Sequence, residues 1–400
     1  MTTGELEAWD LVVVGAGPAG SATAIGALRA SPSLRVLLVD RAEFPRDKSC
    51  GDGVAPHAVE LLARHGVTGL VDDLVPIHRL RLDLGDDSVS RVMERPAWVV
   101  PRTLLDARLL DAARAAGAVY RRHRVRDVTP TPDGVVLDGS LAAPVVVGAD
   151  GAGSVVGRAL GVAPGASALA IRGYAPTPAA RRGEQVIVFG DTRQPSYAWS
   201  FDRGDGLANV GYGELLTSAR TAPSRALLLE QLERLLPGAT VDAQSWRGHH
   251  LPLSSWRWRP QPGRVLLAGD AAGLVNPMTG EGIYYAALTG LLAGRAAATA
   301  VMDGSPGSAG TRYRSAAVPA LRRHLAHTAA GFRLMQSGPV LRAGLRAAAA
   351  DQRAFDDLVD LGLADGTLTP RLLRGLSGGL VRGMAERLVG GSATRPLHRR

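Results

Sequence analysis

Residues 11–20 read LVVVGAGPAG, an apolar run that ends in three closely spaced glycines. Gly15 permits a tight turn, Gly17 lets the backbone approach a pyrophosphate, and Gly20 lets the following helix lie close on the strand. Pro18 and Ala19 open an Ala-rich helix whose N-terminal N–H groups and dipole suit phosphate. RVLLVD (35–40) is a second apolar strand, so the segment is a βαβ unit and implies a parallel sheet. Asp40 ends that strand, where a carboxylate can accept hydrogen bonds from ribose hydroxyls, with Arg41 beside it. The pattern predicts an α/β chain with a Rossmann-like dinucleotide site at its N-terminus.

Two further glycine-rich strand exits narrow the cofactor. GADGAGSVVGR (148–158) carries Asp150, and AGDAAG (268–273) delivers Gly269 and Asp270 to a helix start. A carboxylate at Asp270 can bind a polyol such as the ribityl chain of FAD. The next loop, NPMTGEGI (276–283), contributes Pro277, Gly280, Gly282 and Ile283. Its N–H groups would face the N1–C2 carbonyl end of a reduced flavin. There is one GxGxxG, so NAD(P)H has no Rossmann site of its own and must visit, or another external reductant or a separate reductase must replace it.

Four hundred residues suit one large or several interlocked domains. Between about 165 and 255 the βα rhythm gives way to a strand-rich segment. From about 311 the chain is helical, with a break near Gly338 and Pro339. The expected division is a discontinuous FAD domain (1–75, 97–160 and 256–310), a β-rich substrate domain (76–96 and 161–255) and a helical C-terminal region (311–400). High Ala and Gly predict close backbone contacts in the interior. The net charge of +9 is carried almost wholly by arginine, Lys48 being the one lysine. It is scattered, with part of it at His398, Arg399 and Arg400, and no basic run is interleaved with aromatics, so nucleic acid is not an expected partner. An anionic substrate or a bilayer surface fits the charge. Cys50 is the single cysteine, which excludes an internal disulfide and suits a reducing cytoplasm. The acidic N-terminus does not read as a signal peptide, and no uncharged apolar run reaches the ~18 residues of a span. The expected location is cytoplasmic, at most peripheral to a membrane. His249 and His250 are adjacent on a strand and point to opposite faces, and no cluster has metal-ligand spacing. No GxSxG elbow appears.

The order GAGPAG, GADG, AGDAAG resembles that of para-hydroxybenzoate hydroxylase-like flavoproteins, in which a mostly antiparallel sheet roofs the flavin. Within that group the chain is similar to the geranylgeranyl reductase family, on FPRDKSCGDGVAPHAVELL (44–62), PRTLLDARL (101–109), YAWSFDRGDGLANVGYG (197–213) and AGDAAGLVNPMTGEGIYYA (268–286). DLVDLGLADGTLTPRLL (357–373) extends the match more weakly. The resemblance implies that Arg102 contacts FAD from a helix start and that Cys50 and Gly51 lie in a loop near the flavin. It further implies that Tyr197, Trp199 and Phe201, with Gly211 and Tyr212, line an apolar tunnel for a prenyl chain, Gly213 falling at the expected motif spacing. On spacing alone the same aromatics read better as ordinary hairpin core. Where the family has Pro, this chain has Asp202. Facing the cavity, it would indicate a more polar substrate. Halogenases of this fold carry WxWxIP; here the first Trp is Tyr197, Ile-Pro is missing, and WRWRP (256–260) lies elsewhere, so halogenation is not expected.

The resemblance implies an FAD-dependent oxidoreductase that reduces C=C bonds of an isoprenoid or prenylated molecule. Cys50, Tyr197 or a bound water supplies the proton and Trp199 lines the reacting site. Cys50 reads equally as a small gate residue or a buried apolar side chain. The alternative within the same fold is a monooxygenase that epoxidises or hydroxylates a prenylated or aromatic metabolite.

Overall fold

A computed structural model describes residues 6–163 and 165–390, the last ten by backbone alone. The tail arginines and His398 noted above lie outside the described residues.

The N-terminal βαβ unit sits in a five-stranded, wholly parallel sheet. Its order is Val265–Leu267, Val146–Gly148, Leu11–Val14, Val36–Asp40 and Val119–Arg122. Leu11–Val14 is buried along its length, as a parallel strand covered on both faces requires. The strands therefore arrive from three separated stretches of chain, and their carboxyl ends bring the three glycine-rich exits together. A small four-stranded sheet, Glu7–Ala8, Leu141–Ala143, Val135–Leu137 and Val128–Pro130, covers one side.

Helix Pro18–Ala30 packs against helix Ile283–Met302. A Cβ on Gly294 would stand 1.9 Å from the Thr23 carbonyl oxygen, and one on Gly26 would stand 2.4 Å from that of Leu291. The glycines thus let two backbones touch. Ile283–Met302 is the one helix among the described residues long and apolar enough to cross a membrane, and most of it is buried in this core.

The second sheet has eight strands. They run Gln244–Pro252, Ser167–Pro176, Leu207–Leu215, Ser196–Asp202, Glu184–Phe189, Ile77–Leu84, Asp87–Val99 and Gly53–Val54. All neighbours are antiparallel except Glu184–Phe189 with Ile77–Leu84. Two of these strands extend past the expected boundaries: Asp87–Val99 crosses residue 97, and Gly53–Val54 belongs to this sheet. Helix Arg225–Leu235 covers the back. Gly338–Ala350 and Gln352–Leu363 cover part of the front, after a break that falls at Gly338.

Candidate active site

One cavity of about 820 Å³ runs from the carboxyl ends of the parallel strands, beneath the front face of the eight-stranded sheet, to the C-terminal helices. It gathers most of the residues expected to meet the cofactor: Gly15, Gly17, Pro18, Ala19, Asp40, Arg41, Cys50, Gly51, Arg102, Asp150, Asp270, Pro277, Gly280, Gly282 and Ile283.

The glycine turn is built for a ligand. Gly15 has φ +101°, and its missing Cβ would stand 2.3 Å from the Ala149 carbonyl oxygen. A Cβ on Gly20 would lie 1.7 Å from the Gly15 carbonyl oxygen. Gly20 is therefore a packing residue outside the cavity lining, as is Gly269, whose Cβ would meet Ala19 at 2.9 Å. Helix Pro18–Ala30 has no side-chain cap and no acid in its first turn, which leaves N–H groups for an anion. Beside it, Arg102 holds the buried Asp106 with two bonds of 2.6 and 2.7 Å, and Arg46 meets the same carboxylate at 2.9 Å. Two guanidiniums on one carboxylate leave a net positive charge at the turn. Asp40 accepts the Ala16 and Ala42 N–H groups, each at 2.9 Å, so it fixes the turn as well as facing the cavity. Asp150 accepts from the Ser154 hydroxyl and the Val155 N–H at the next strand exit.

Lys48, the one lysine of the chain, enters this site. Its Nζ pairs with Asp270 Oδ2 at 3.0 Å. Burial pushes the Asp270 carboxyl up and Lys48 pulls it down; the lysine prevails, and Asp270 stays below the usual carboxylate range. Burial, then Lys48, pulls the neighbouring His249 down to about 4, so its imidazole is neutral.

The sheet presents a polar–aromatic face in register. Tyr197, Trp199 and Phe201 line the cavity, opposite Phe189, Ile187 and Gln185 of the next strand. Trp199 Nε1 donates to Asn209 Oδ1 at 2.8 Å. Asn209 Nδ2 in turn donates to the Cys50 carbonyl and to Asp52 Oδ2, both at 2.8 Å. The Tyr174 hydroxyl also donates to Asp52. Asp52 is fully buried at φ +60°, and burial pushes its carboxyl up to about 6 against those two hydrogen bonds. The loop bearing Cys50 is thus fastened to the aromatic sheet, and burial pushes the Cys50 thiol up.

Three expected lining residues sit elsewhere. Asp202 and Tyr212 alternate to the back of the sheet. Asp202 accepts from Thr177 and the Gly183 and Gly204 N–H groups, so it marks no polar substrate. Tyr212 packs under helix Arg225–Leu235 and donates to Glu214. Gly211 lies beneath the Trp199 indole, where a Cβ would stand 2.2 Å from the ring. Gly213 does line the cavity.

Glu281 was not singled out from the sequence. It lies in the cavity wall at the start of Ile283–Met302, where one carboxylate oxygen accepts the Tyr284 N–H at 2.7 Å. Burial, reinforced by Asp270, outweighs its backbone hydrogen bonds and pushes the carboxyl up to about 7. The Tyr197 hydroxyl donates to the Thr279 carbonyl in the same loop. Asn276 and Thr279 tie that loop to the Leu361 and Gly362 carbonyls at the end of helix Gln352–Leu363. Beyond it the wall turns apolar, with Met335, Leu341, Leu345, Leu372 and Leu376.

Open glycine backbone, a free helix start, a cationic cluster and a glycine-rich strand exit bearing Asp270 fit FAD. The comparisons agree. The FAD binding domain family matches residues 8–300. The menaquinone reductase of Mycolicibacterium smegmatis is 36% identical over 347 residues, 79% of this chain and 81% of the relative. A digeranylgeranylglycerophospholipid reductase of Methanothrix thermoacetophila is 31% identical over 341 residues, covering 79% and 85%. Among solved structures, a geranylgeranyl bacteriochlorophyll reductase-like protein from Thermoplasma acidophilum superposes with a TM-score of 0.75 at 20% identity, over 96% of this chain and 100% of that one. A halogenase in complex with phloroglucinol and FAD gives 0.67 at 15% identity, over 97% and 93%. The last two likenesses concern the fold.

Proposed function

The chain belongs to the geranylgeranyl reductase family of FAD-dependent oxidoreductases, and from that premise we propose that it reduces carbon–carbon double bonds of an isoprenoid or prenylated small molecule. The observation that carries this reading is the continuity of the cavity: the cofactor cradle opens without a partition into an aromatic and leucine-lined tunnel. Apolar walls hold an isoprenoid by burial of its surface. The relatives named for a quinone and for a geranylgeranyl lipid support the same class. Such a substrate is met at a bilayer, so the reading includes peripheral contact with one, and an external donor such as NAD(P)H.

When bound and reduced, FAD supplies hydride chemistry. The chain's own residues bind, exclude water and hold a proton. Gly15, Gly17, Arg46 and Arg102 would hold the phosphates of FAD, and Asp270, charge-paired with Lys48, would take its sugar-alcohol chain. Tyr197, Trp199 and Phe201 would flank the prenyl chain on one side and help to keep the site dry. The second hydrogen of the reduced alkene arrives as a proton. Tyr197 is engaged with a carbonyl and Cys50 is a weakened acid, whereas a Glu281 carboxyl near 7 is matched to proton donation at neutral pH. Glu281 is the proton donor in this reading, and solvent restores its proton.

The test is a single turnover. The enzyme-bound flavin is reduced without oxygen, and prenylated quinones, lipids and aromatics are added while flavin absorbance and product mass are followed. Anaerobic reoxidation with a gain of two hydrogens is expected. Turnover only with oxygen, and isotope-labelled oxygen found in the product, would make the enzyme a monooxygenase.

A further inference from the structure

Among the described residues, the cavity-facing side of the eight-stranded sheet holds three buried polar atoms with no hydrogen-bond partner: Gln185 Nε2, Arg172 Nε and His249 Nε2. Of these, Gln185 is the neutral amide, set among apolar neighbours. Gln185 is 4% exposed and lines the cavity, and its Nε2 has no hydrogen-bond partner among the described residues. Its cross-strand neighbours are Phe201 on one side and Leu80 on the other, both in the same wall. Ile187 and Phe189 follow it on its own strand, facing the same way.

A buried amide left unpaired costs about 1–3 kcal/mol, and native proteins rarely keep one without a use. A Leu or Met here would complete an otherwise apolar patch. The position of the amide is also specific. Phe201, its direct partner, lies 3.4 and 3.8 Å from where Cβ atoms on Gly51 and Gly53 would stand. Gln185 is therefore one strand removed from the loop that carries Cys50, near the cofactor end of the cavity. On its other side, Leu80, Ile187 and Phe189 pack with Leu341 and Leu345 of the C-terminal helices.

We infer that Gln185 donates its side-chain N–H to a carbonyl oxygen on the head of the substrate, so that the enzyme selects a prenylated carbonyl compound, of quinone type, over a bare isoprenoid hydrocarbon. This deepens the reductase reading and rests on it. The amide fixes the head by the Cys50 loop, and the prenyl chain runs from there along the aromatics into the leucine-lined end. A hydrocarbon of the same length fills the same tunnel but leaves the amide unpaired, which is how a buried polar group discriminates.

The experiment measures binding and turnover separately. Intrinsic tryptophan fluorescence, to which Trp199 contributes, is followed while the FAD-loaded protein is titrated with a naphthoquinone bearing an isoprenoid side chain. An isoprenoid hydrocarbon with the same number of isoprene units is titrated in parallel. The wild type is expected to prefer the quinone. Gln185→Met, close in volume, shifts that ratio about tenfold toward the hydrocarbon, the worth of one hydrogen bond to a buried group. Gln185→Leu, which removes donor and acceptor alike, gives the same shift. An unchanged ratio in both variants, with FAD retained, overturns the inference. Each ligand is then tested in the anaerobic turnover. If the ratio responds to Gln185 but neither ligand is reduced, the reductase reading fails and the carbonyl site stands. If both are reduced and the ratio is indifferent to Gln185, the reverse holds.

Discussion

The indole of Trp199 lies flat across Gly211, the two facing each other in cross-strand register on adjacent strands, with no room for a methyl group between them. The glycine is there for the tryptophan. Gly211→Ala forces the ring out of its place and breaks its bond to Asn209. Overpacking of this kind costs about 1–3 kcal/mol. The melting temperature should fall, and the tryptophan emission of the variant should shift even with FAD bound. An unchanged spectrum would show that the ring is not held as described.

Asn209 fastens three things at once: the Trp199 indole, the Cys50 carbonyl and Asp52. Asn209→Leu leaves those groups buried without it, at about 1–3 kcal/mol for each that stays unpaired. Thermal denaturation should show a loss larger than for a typical surface change. Limited proteolysis should find the 46–53 loop newly accessible.

Glu281 should set the alkaline limb of the pH profile. Its folded carboxyl lies near 7, above the unfolded value of 4.5. The donor form is lost as pH rises through 7, so the single-turnover rate should fall there, and Glu281→Gln should be slow and nearly flat. Stability follows the same proton. The folded state binds it more tightly than the unfolded chain, so the contribution is present below 4.5 and is lost as pH rises to 7. Glu281→Gln removes that part of the slope. The part owed to Asp52, which has the same sign up to about 6, remains.

Arg46 and Arg102 share Asp106, and Arg46 is the more exposed of the two. Arg46→Met leaves Asp106 paired but cancels the net positive charge at the glycine turn. FAD affinity, read by flavin fluorescence on titration of the apoprotein, should fall about tenfold, near 1.4 kcal/mol. The fold should survive, since Arg102 still holds the buried carboxylate.

The cradle was readable because its requirements are local. Gly20 records that a side chain would collide with the Gly15 carbonyl five residues back, Gly15 carries the φ of +101° that the turn needs, and the strand before them and helix after them are visible in the same window. The aromatic face was half readable. Alternation puts Tyr197, Trp199 and Phe201 on one side, and the same alternation sends Asp202 and Tyr212 to the other; motif matching overrode that parity. Lys48 carried a signal, as the one lysine among arginines, but its partner Asp270 lies 222 residues away and only the assembled sheet joins them. Glu281 and Gln185 look like any acid in a loop and any amide in a strand. What distinguishes them is enclosure, which belongs to the packed molecule. The leucines of the C-terminal helices reach the cavity by packing across the whole chain, beyond what helical periodicity specifies.

The bonds from Asn276 and Thr279 to the Leu361 and Gly362 carbonyls give the far wall a bearing on the near one. The helix that ends in those carbonyls is also the helix against which a prenyl tail would rest. Anything that displaces that helix therefore pulls on the Asn276–Thr279 loop through three hydrogen bonds, so the apolar end of the cavity and the loop at its polar end are braced as one unit.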